Sequence, residues 1–175
     1  MLEKKANMNR TRVLAVIFVT LLSGCGGYAM TAAEFREQVK KSSMATRETF
    51  EVKRPFAEVV RTFQKKAPEC LSFSLVSTTQ PTIGYASSHV YAKAKPTVVI
   101  SANKAELHFQ VKLQGDMLTE PPGGAYYLVA DTYPVSKDRT RVDIYRGRSA
   151  VIAQAIRAWA SGDDQGCPDP TRFSQ

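Results

Sequence analysis

The chain has 175 residues, 24 Lys and Arg against 16 Asp and Glu, a net charge of +8 and 43% hydrophobic residues. That is enough apolar content for one folded core, and the sequence has no low-complexity body, heptad run or internal repeat, which excludes a disordered chain or a long coiled coil.

The N-terminus is the most informative segment. Lys4, Lys5, Arg10 and Arg12 precede an apolar run, Val13 to Leu22, and small residues then lead into Cys25. This is the anatomy of a secretory signal. The run is too short for a spanning helix, which needs about 20 apolar residues. Met8 is an alternative start, because Met8-Asn9-Arg10-Thr11-Arg12 by itself makes a basic opening. The quartet Leu22-Ser23-Gly24-Cys25 resembles the lipobox of bacterial lipoproteins. The resemblance implies that the Cys25 thiol takes a diacylglyceryl group, that residues 1–24 are removed, and that Cys25 becomes the N-terminus and is N-acylated. An Asp after the cysteine would imply inner-membrane retention. Gly26 in that place implies an outer-membrane anchor facing the periplasm, with the inner membrane or cell surface as alternatives. Residues 1–24 carry Glu3 against the four cations, a net of +3, so +5 of the +8 remains after processing. A mildly basic exported domain suits anionic envelope partners, such as lipid phosphates or glycans, or another envelope protein. It argues against nucleic acid.

Residues 25–45 read as a tether, with one weakly amphipathic stretch at Ala32 to Lys41 where Phe35 and Val39 stand four apart. Thr46 to Lys53 alternates Phe50 and Val52 with Glu51 and Lys53, a half-buried strand. Pro55 then suits the first turn of a helix. Phe56, Val59, Val60 and Phe63 form one apolar stripe, and the helix is expected to stop before Pro68. Period-two patterning follows. Strands are expected at Leu71–Ser77, with Leu71, Phe73 and Leu75 on one face, and at Ile83–Lys93 after a turn at Gln80-Pro81-Thr82. Further strands are expected at Thr97–Ser101, through Leu107, Phe109, Val111 and Leu113, at Tyr126–Tyr133 and at Thr140–Arg146. The last two make a hairpin around Lys137-Asp138. A second helix is expected from Ser149 to Ala160, with Ile152, Ile156 and Trp159 inward and Gly162 as its stop.

The expected fold is therefore α+β: a single antiparallel sheet of six to seven strands, with two helices packed on one face, over residues 46–162. The opening Phe50-Glu51-Val52-Lys53-Arg54-Pro55-Phe56-Ala57-Glu58-Val59-Val60 and the element order resemble the helix-grip (START-like) superfamily. The domain is similar to the helix-grip lipoprotein of the outer-membrane β-barrel assembly machinery.

Once Cys25 is lipidated, Cys70 and Cys167 remain. An even pair in an exported chain reads as a disulfide that ties down the tail, residues 163–175, with two separate buried thiols as the alternative. No catalytic constellation stands out. His89 and His108 have no second ligand at metal spacing, and there is no nucleophile elbow, phosphate-cradling loop or Cys-x-x-Cys. Glu106, Asp116 and Glu120 are scattered, and Asp163-Asp164 lies in the tail. Catalytic residues, metal and cofactor are therefore all expected to be absent. Arg139 and Arg141 share strand parity, so an outward cationic face is a candidate surface for an anionic partner. Three readings compete: an interaction or assembly module, a carrier of a small hydrophobic ligand in a sheet–helix cavity, and an enzyme of the polyketide-cyclase type with polar groups inside such a cavity.

Overall fold

The computed structural model describes residues 27–79, 88–114, 120–163 and 166–173. The segment expected as a signal (residues 1–24), Cys25, Asp116 and the turn expected at Gln80-Pro81-Thr82 lie outside the described residues, as do the side chains of residues 77–79, 88–90 and 114. The elements run α1 (Ala32–Lys41), β1 (Thr46–Val52), α2 (Phe56–Leu71), β2 (Phe73–Thr79), β3 (Ser88–Ala94), β4 (Thr97–Ser101), β5 (Lys104–Gln114), β6 (Ala125–Ser136), β7 (Arg139–Arg146) and α3 (Ala150–Ser161), with a 3₁₀ turn at Pro170–Arg172. One seven-stranded antiparallel sheet has the order β1-β7-β6-β5-β3-β2, and β4 pairs with the part of β5 that β3 leaves free. The fold is α+β around a single antiparallel sheet, as the alternating apolar pattern dictates.

Helices α2 and α3 share one face of that sheet. Their inward stripes bury Val59, Phe63, Ile152, Ile156 and Trp159 against Leu107, Phe109, Leu128 and Ile144 of the strands. Each such side chain contributes about 1.5–3 kcal/mol relative to exposure. Phe56, expected in the core, is only half-buried at the first position of α2, where the stripe has not yet turned under the sheet. Ser149 sits at the N-cap of α3 without capping through its side chain, and Gly162 closes the helix at φ +89°, a left-handed conformation that suits glycine.

The helix expected to end before Pro68 instead continues through it to Leu71. A proline there removes one helical hydrogen bond and crowds the preceding turn, at a cost of about 3 kcal/mol. Pro68 lies on the solvent side of the last turn, whereas Ala67 and Leu71 beside it are fully buried. Burial of that last turn outweighs the local break. Leu71 is thus the end of a helix, not the start of a strand, and Cys70 lies inside α2.

Residues 32–41, expected as part of a free tether, form a packed helix on the opposite face of the sheet. Ala32, Phe35 and Val39 of α1 cover Val129 and Tyr145, and the Phe35 ring stacks on Tyr126 at 5.9 Å. Thr31 caps the helix by accepting from the Glu34 N–H. The stripe is short, but Val129 and Tyr145 point away from the main core and need cover of their own.

Two irregularities re-aim side chains. The β5–β6 register shifts between Phe109 and Gln110, leaving Tyr127 as an extra residue, and the β6–β7 register shifts beside Pro134, leaving Val135 as another. Such bulges accommodate a strand proline. Gly124 at φ +94° enters β6, where a Cβ would meet the Val111 and Lys112 backbone at 2.4 Å, so only glycine fits.

Candidate functional site

The strand registers place charged residues in rows across the sheet face that α1 partly covers. Glu106, Asp131 and Asp143 stand directly opposite one another on β5, β6 and β7. Like charges so placed are unfavourable, and cations offset them. Arg36 of α1 reaches down to both Glu106 and Asp131 at 2.5 Å. Lys104 Nζ lies 2.8 Å from Glu106 and 3.2 Å from Asp131. The His108 ring nitrogen is hydrogen-bonded to Glu106 at 2.9 Å. Asp143 is met by Arg141 at 3.7 Å and Arg47 at 3.9 Å. The face is a self-compensated lattice that fastens α1 to the sheet.

Burial alone would push the Glu106 carboxyl up. Hydrogen bonds from Lys104, His108 and Arg36 outweigh it and hold the group down at about 2, against an ordinary 4.5. A carboxyl held low favours the folded state when ionised. Its contribution is complete above the ordinary pKa and is lost as pH falls through the folded one. The urea midpoint is therefore expected to fall between about pH 5 and about pH 2, and Glu106→Gln is expected to flatten that part of the curve. Parallel curves for the two proteins would refute this role for Glu106.

Arg139 and Arg141 do face outward on this side, as their parity predicts. Neither is a bare cation. Arg139 lies 3.7 Å from Glu51, and Arg141 stacks over Tyr133 at 4.8 Å while facing Asp143. Strand parity marks Arg139 and Arg141 in the sequence, whereas no local pattern marks Asp131. His108 belongs to the network, and His89 lies on β3 opposite Thr78. Among the described residues no group of three or more His, Cys, Asp or Glu could hold a metal ion.

The other face carries a different feature at the β2 end of the sheet. Phe73 and Leu75 of β2, Ala92 of β3, Leu113 of β5 and Tyr127 of the β6 bulge line an apolar cleft of about 260 Å³. The C-terminal tail forms its remaining wall through Pro170, Thr171 and Phe173. The tail is drawn there by Cys70 and Cys167, whose sulfurs stand at disulfide distance, 2.07 Å.

Beside the cleft the sheet ends. β2 is the last strand in the order, and no described strand pairs with its outer side. Leu75 is 46% exposed and Val76 68% exposed. Val99 and Ile100 of β4, which point to opposite faces of the sheet, are also exposed. The opposite edge, β1, carries Arg47, Glu48 and Glu51 instead. Charged edges resist pairing, whereas apolar ones invite it. The edge and the cleft are contiguous through Leu75, which belongs to both. The period-two pattern puts Leu75 on an inward face, but which strand ends the sheet depends on pairing between distant segments.

A scan against protein-family models finds no match, and no curated protein matches the chain. No described helix is long and apolar enough to cross a membrane.

Proposed function

We propose that this chain is a non-enzymatic lipoprotein of the bacterial envelope. In this reading it is anchored through Cys25 on the periplasmic side of the outer membrane and acts there as an interaction or assembly module. The lipobox-like quartet supports the anchor, and the helix-grip resemblance of the sequence supports a non-enzymatic module. The observation that carries the binding role is the edge of β2, exposed at Leu75 and Val76 and paired with no described strand on its outer side, which is continuous with the cleft. An extended segment of a protein partner would pair with the strand through main-chain hydrogen bonds and set alternate side chains into the cleft. The pairing of Arg139 and Arg141 with carboxylates favours a protein partner over an anionic glycan or lipid.

A photo-cross-linker at Val76 in intact cells is expected to capture an envelope protein, and Val76→Lys should abolish capture of the same protein by a cross-linker at Leu75 without unfolding the domain. Unchanged capture in Val76→Lys would sink the edge reading. Cys25→Ser is expected to release the protein from the membrane fraction, and persistent membrane fractionation would remove the anchor from the proposal.

The carrier reading has one observation in its favour, the apolar cleft itself. Ligand pockets usually run to about 300–1,000 Å³ and enclose most of their ligand. The cleft is smaller, about 260 Å³, and the space between α3 and the sheet is filled by Ile152, Ile156 and Trp159. Native mass spectrometry of gently extracted protein distinguishes the two, since a carrier would bring a stoichiometric apolar molecule.

A further inference from the structure

We infer that the side of the domain carrying α1 rests on the phospholipid surface of the membrane, with Met44, Lys40 and Lys41 at the headgroups and with α2 and α3 turned away from it. This rests on the reading of Cys25 as a lipidated anchor. The first observation is how little chain is left between the anchor and the packed domain. Ala29 is only 4% exposed and belongs to the buried cluster of Phe35, Val39 and Tyr145. The Gln38 side-chain amide donates to the Gly27 carbonyl at 3.3 Å, so residues 27–31 double back along α1. Only Gly26 stands between Gly27 and Cys25, a reach of about 7 Å even when fully extended. Helix α1 is itself fastened to the sheet by Phe35, Val39 and the ion pairs of Arg36. Acyl chains on Cys25 therefore hold the outer side of α1 at the bilayer, whereas a free tether over residues 25–45 would let the domain present any side.

The second observation is what that side exposes. Met44 is 82% exposed, Met30 45% and Tyr28 41%, and all three flank α1. Lys40 and Lys41 occupy its last turn in exposed positions. Arg47, half exposed, stands over the ring of Tyr145, which α1 covers. The acidic residues of the helix are engaged locally. Glu34 accepts from the Met30 N–H at 2.8 Å, and Glu37 faces Lys40 at 2.7 Å. Tyrosine suits the boundary between headgroups and acyl chains, and long basic side chains lay their stems on apolar groups while the cation reaches phosphate. Each cation near an anionic surface is worth about fivefold in attachment. A lipid chain supported by such contacts makes a two-part anchor.

The test uses the mature lipidated chain on vesicles of phosphatidylethanolamine and phosphatidylglycerol. An environment-sensitive dye is placed at Met44→Cys or Met30→Cys and, as reference, at Gln64→Cys, an exposed position on α2, with intact mass confirming one dye per chain. On vesicle binding, the dyes at 44 and 30 are expected to shift to the blue and lose quenching by iodide, while the dye at 64 keeps both its emission and its quenching. Adding Lys40→Glu and Lys41→Glu should return iodide quenching at 44 with the chain still on the vesicles. Equal quenching at 44 and 64 in vesicle-bound protein overturns the inference, and protection at 44 unchanged by the two charge reversals overturns the part given to the lysines. Failure of the anchor reading shows differently. The chain then carries no lipid on Cys25 and stays in the supernatant when the vesicles are pelleted, and the orientation falls with it.

Discussion

Phe63→Ala is expected to lower stability by about 3–5 kcal/mol, the cost of truncating a well-packed aromatic core residue. Phe63 is 1% exposed and sits where α2, α3 and the sheet meet. The loss has two parts, the transfer energy of the ring and the void left where rigid neighbours cannot close in. Trp159→Ala should fall in the same range, for the same reason on α3. Trp159→Phe is expected to cost less than Trp159→Ala. It leaves a smaller void, and it also removes an indole N–H that is buried without a hydrogen-bond partner. Urea midpoints measure all three. A Phe63→Ala midpoint equal to wild type would mean that α2 does not pack by this face.

The second large effect concerns Cys167. Cys167→Ser is expected to cost about 2–5 kcal/mol, since the bond closes a long loop and constrains the unfolded chain. The sequence separation is 97 residues. Protein purified from an oxidising compartment should show no free thiol at Cys70 or Cys167 before reduction, read by intact mass after alkylation. Two alkylated cysteines would refute the pairing. The variant should also loosen Phe173, because the tail then lacks its only covalent hold on α2. Increased hydrogen exchange at Thr171 to Phe173, with little change at β6 and β7, is the pattern expected.

Much of the scaffold was legible because it is written locally. The inward stripes of α2 and α3 recur at helical spacing, and β5 alternates without a break from Leu107 to Leu113, so element type follows from the period. Gly162 and the Lys137-Asp138 turn likewise have local chemistry that marks a helix stop and a hairpin. Phe35 and Val39 were visible as a pair. Their partners, Val129 and Tyr145, come from strands far along the chain, so no local pattern said that α1 would dock. Pro68 is the converse case. Its local signal says stop, and the burial of Leu71 overrides it.

The candidate site was less legible, for a physical reason. The lone aromatic Phe173 in a polar tail was a signal, but its seat against Phe73 and Phe109 depends on where the Cys70–Cys167 link draws the chain. Counting back from Lys137-Asp138 without the bulge would set Asp131 opposite Ile144. The extra residue Val135 shifts the pairing by one and brings Asp131 opposite Asp143. Because strand side chains alternate, a shift of one residue decides which groups meet. By itself the sequence determined the α+β class, the period of nearly every element and the even cysteine pair, since each is fixed by residues adjacent or at regular spacing. Only the tertiary structure decided which strand ends the sheet, which face α1 covers, which carboxylates share a row and what lines the cleft. Those depend on registers and contacts between distant segments, where the free energy belongs to the assembled packing and not to any one stretch of chain.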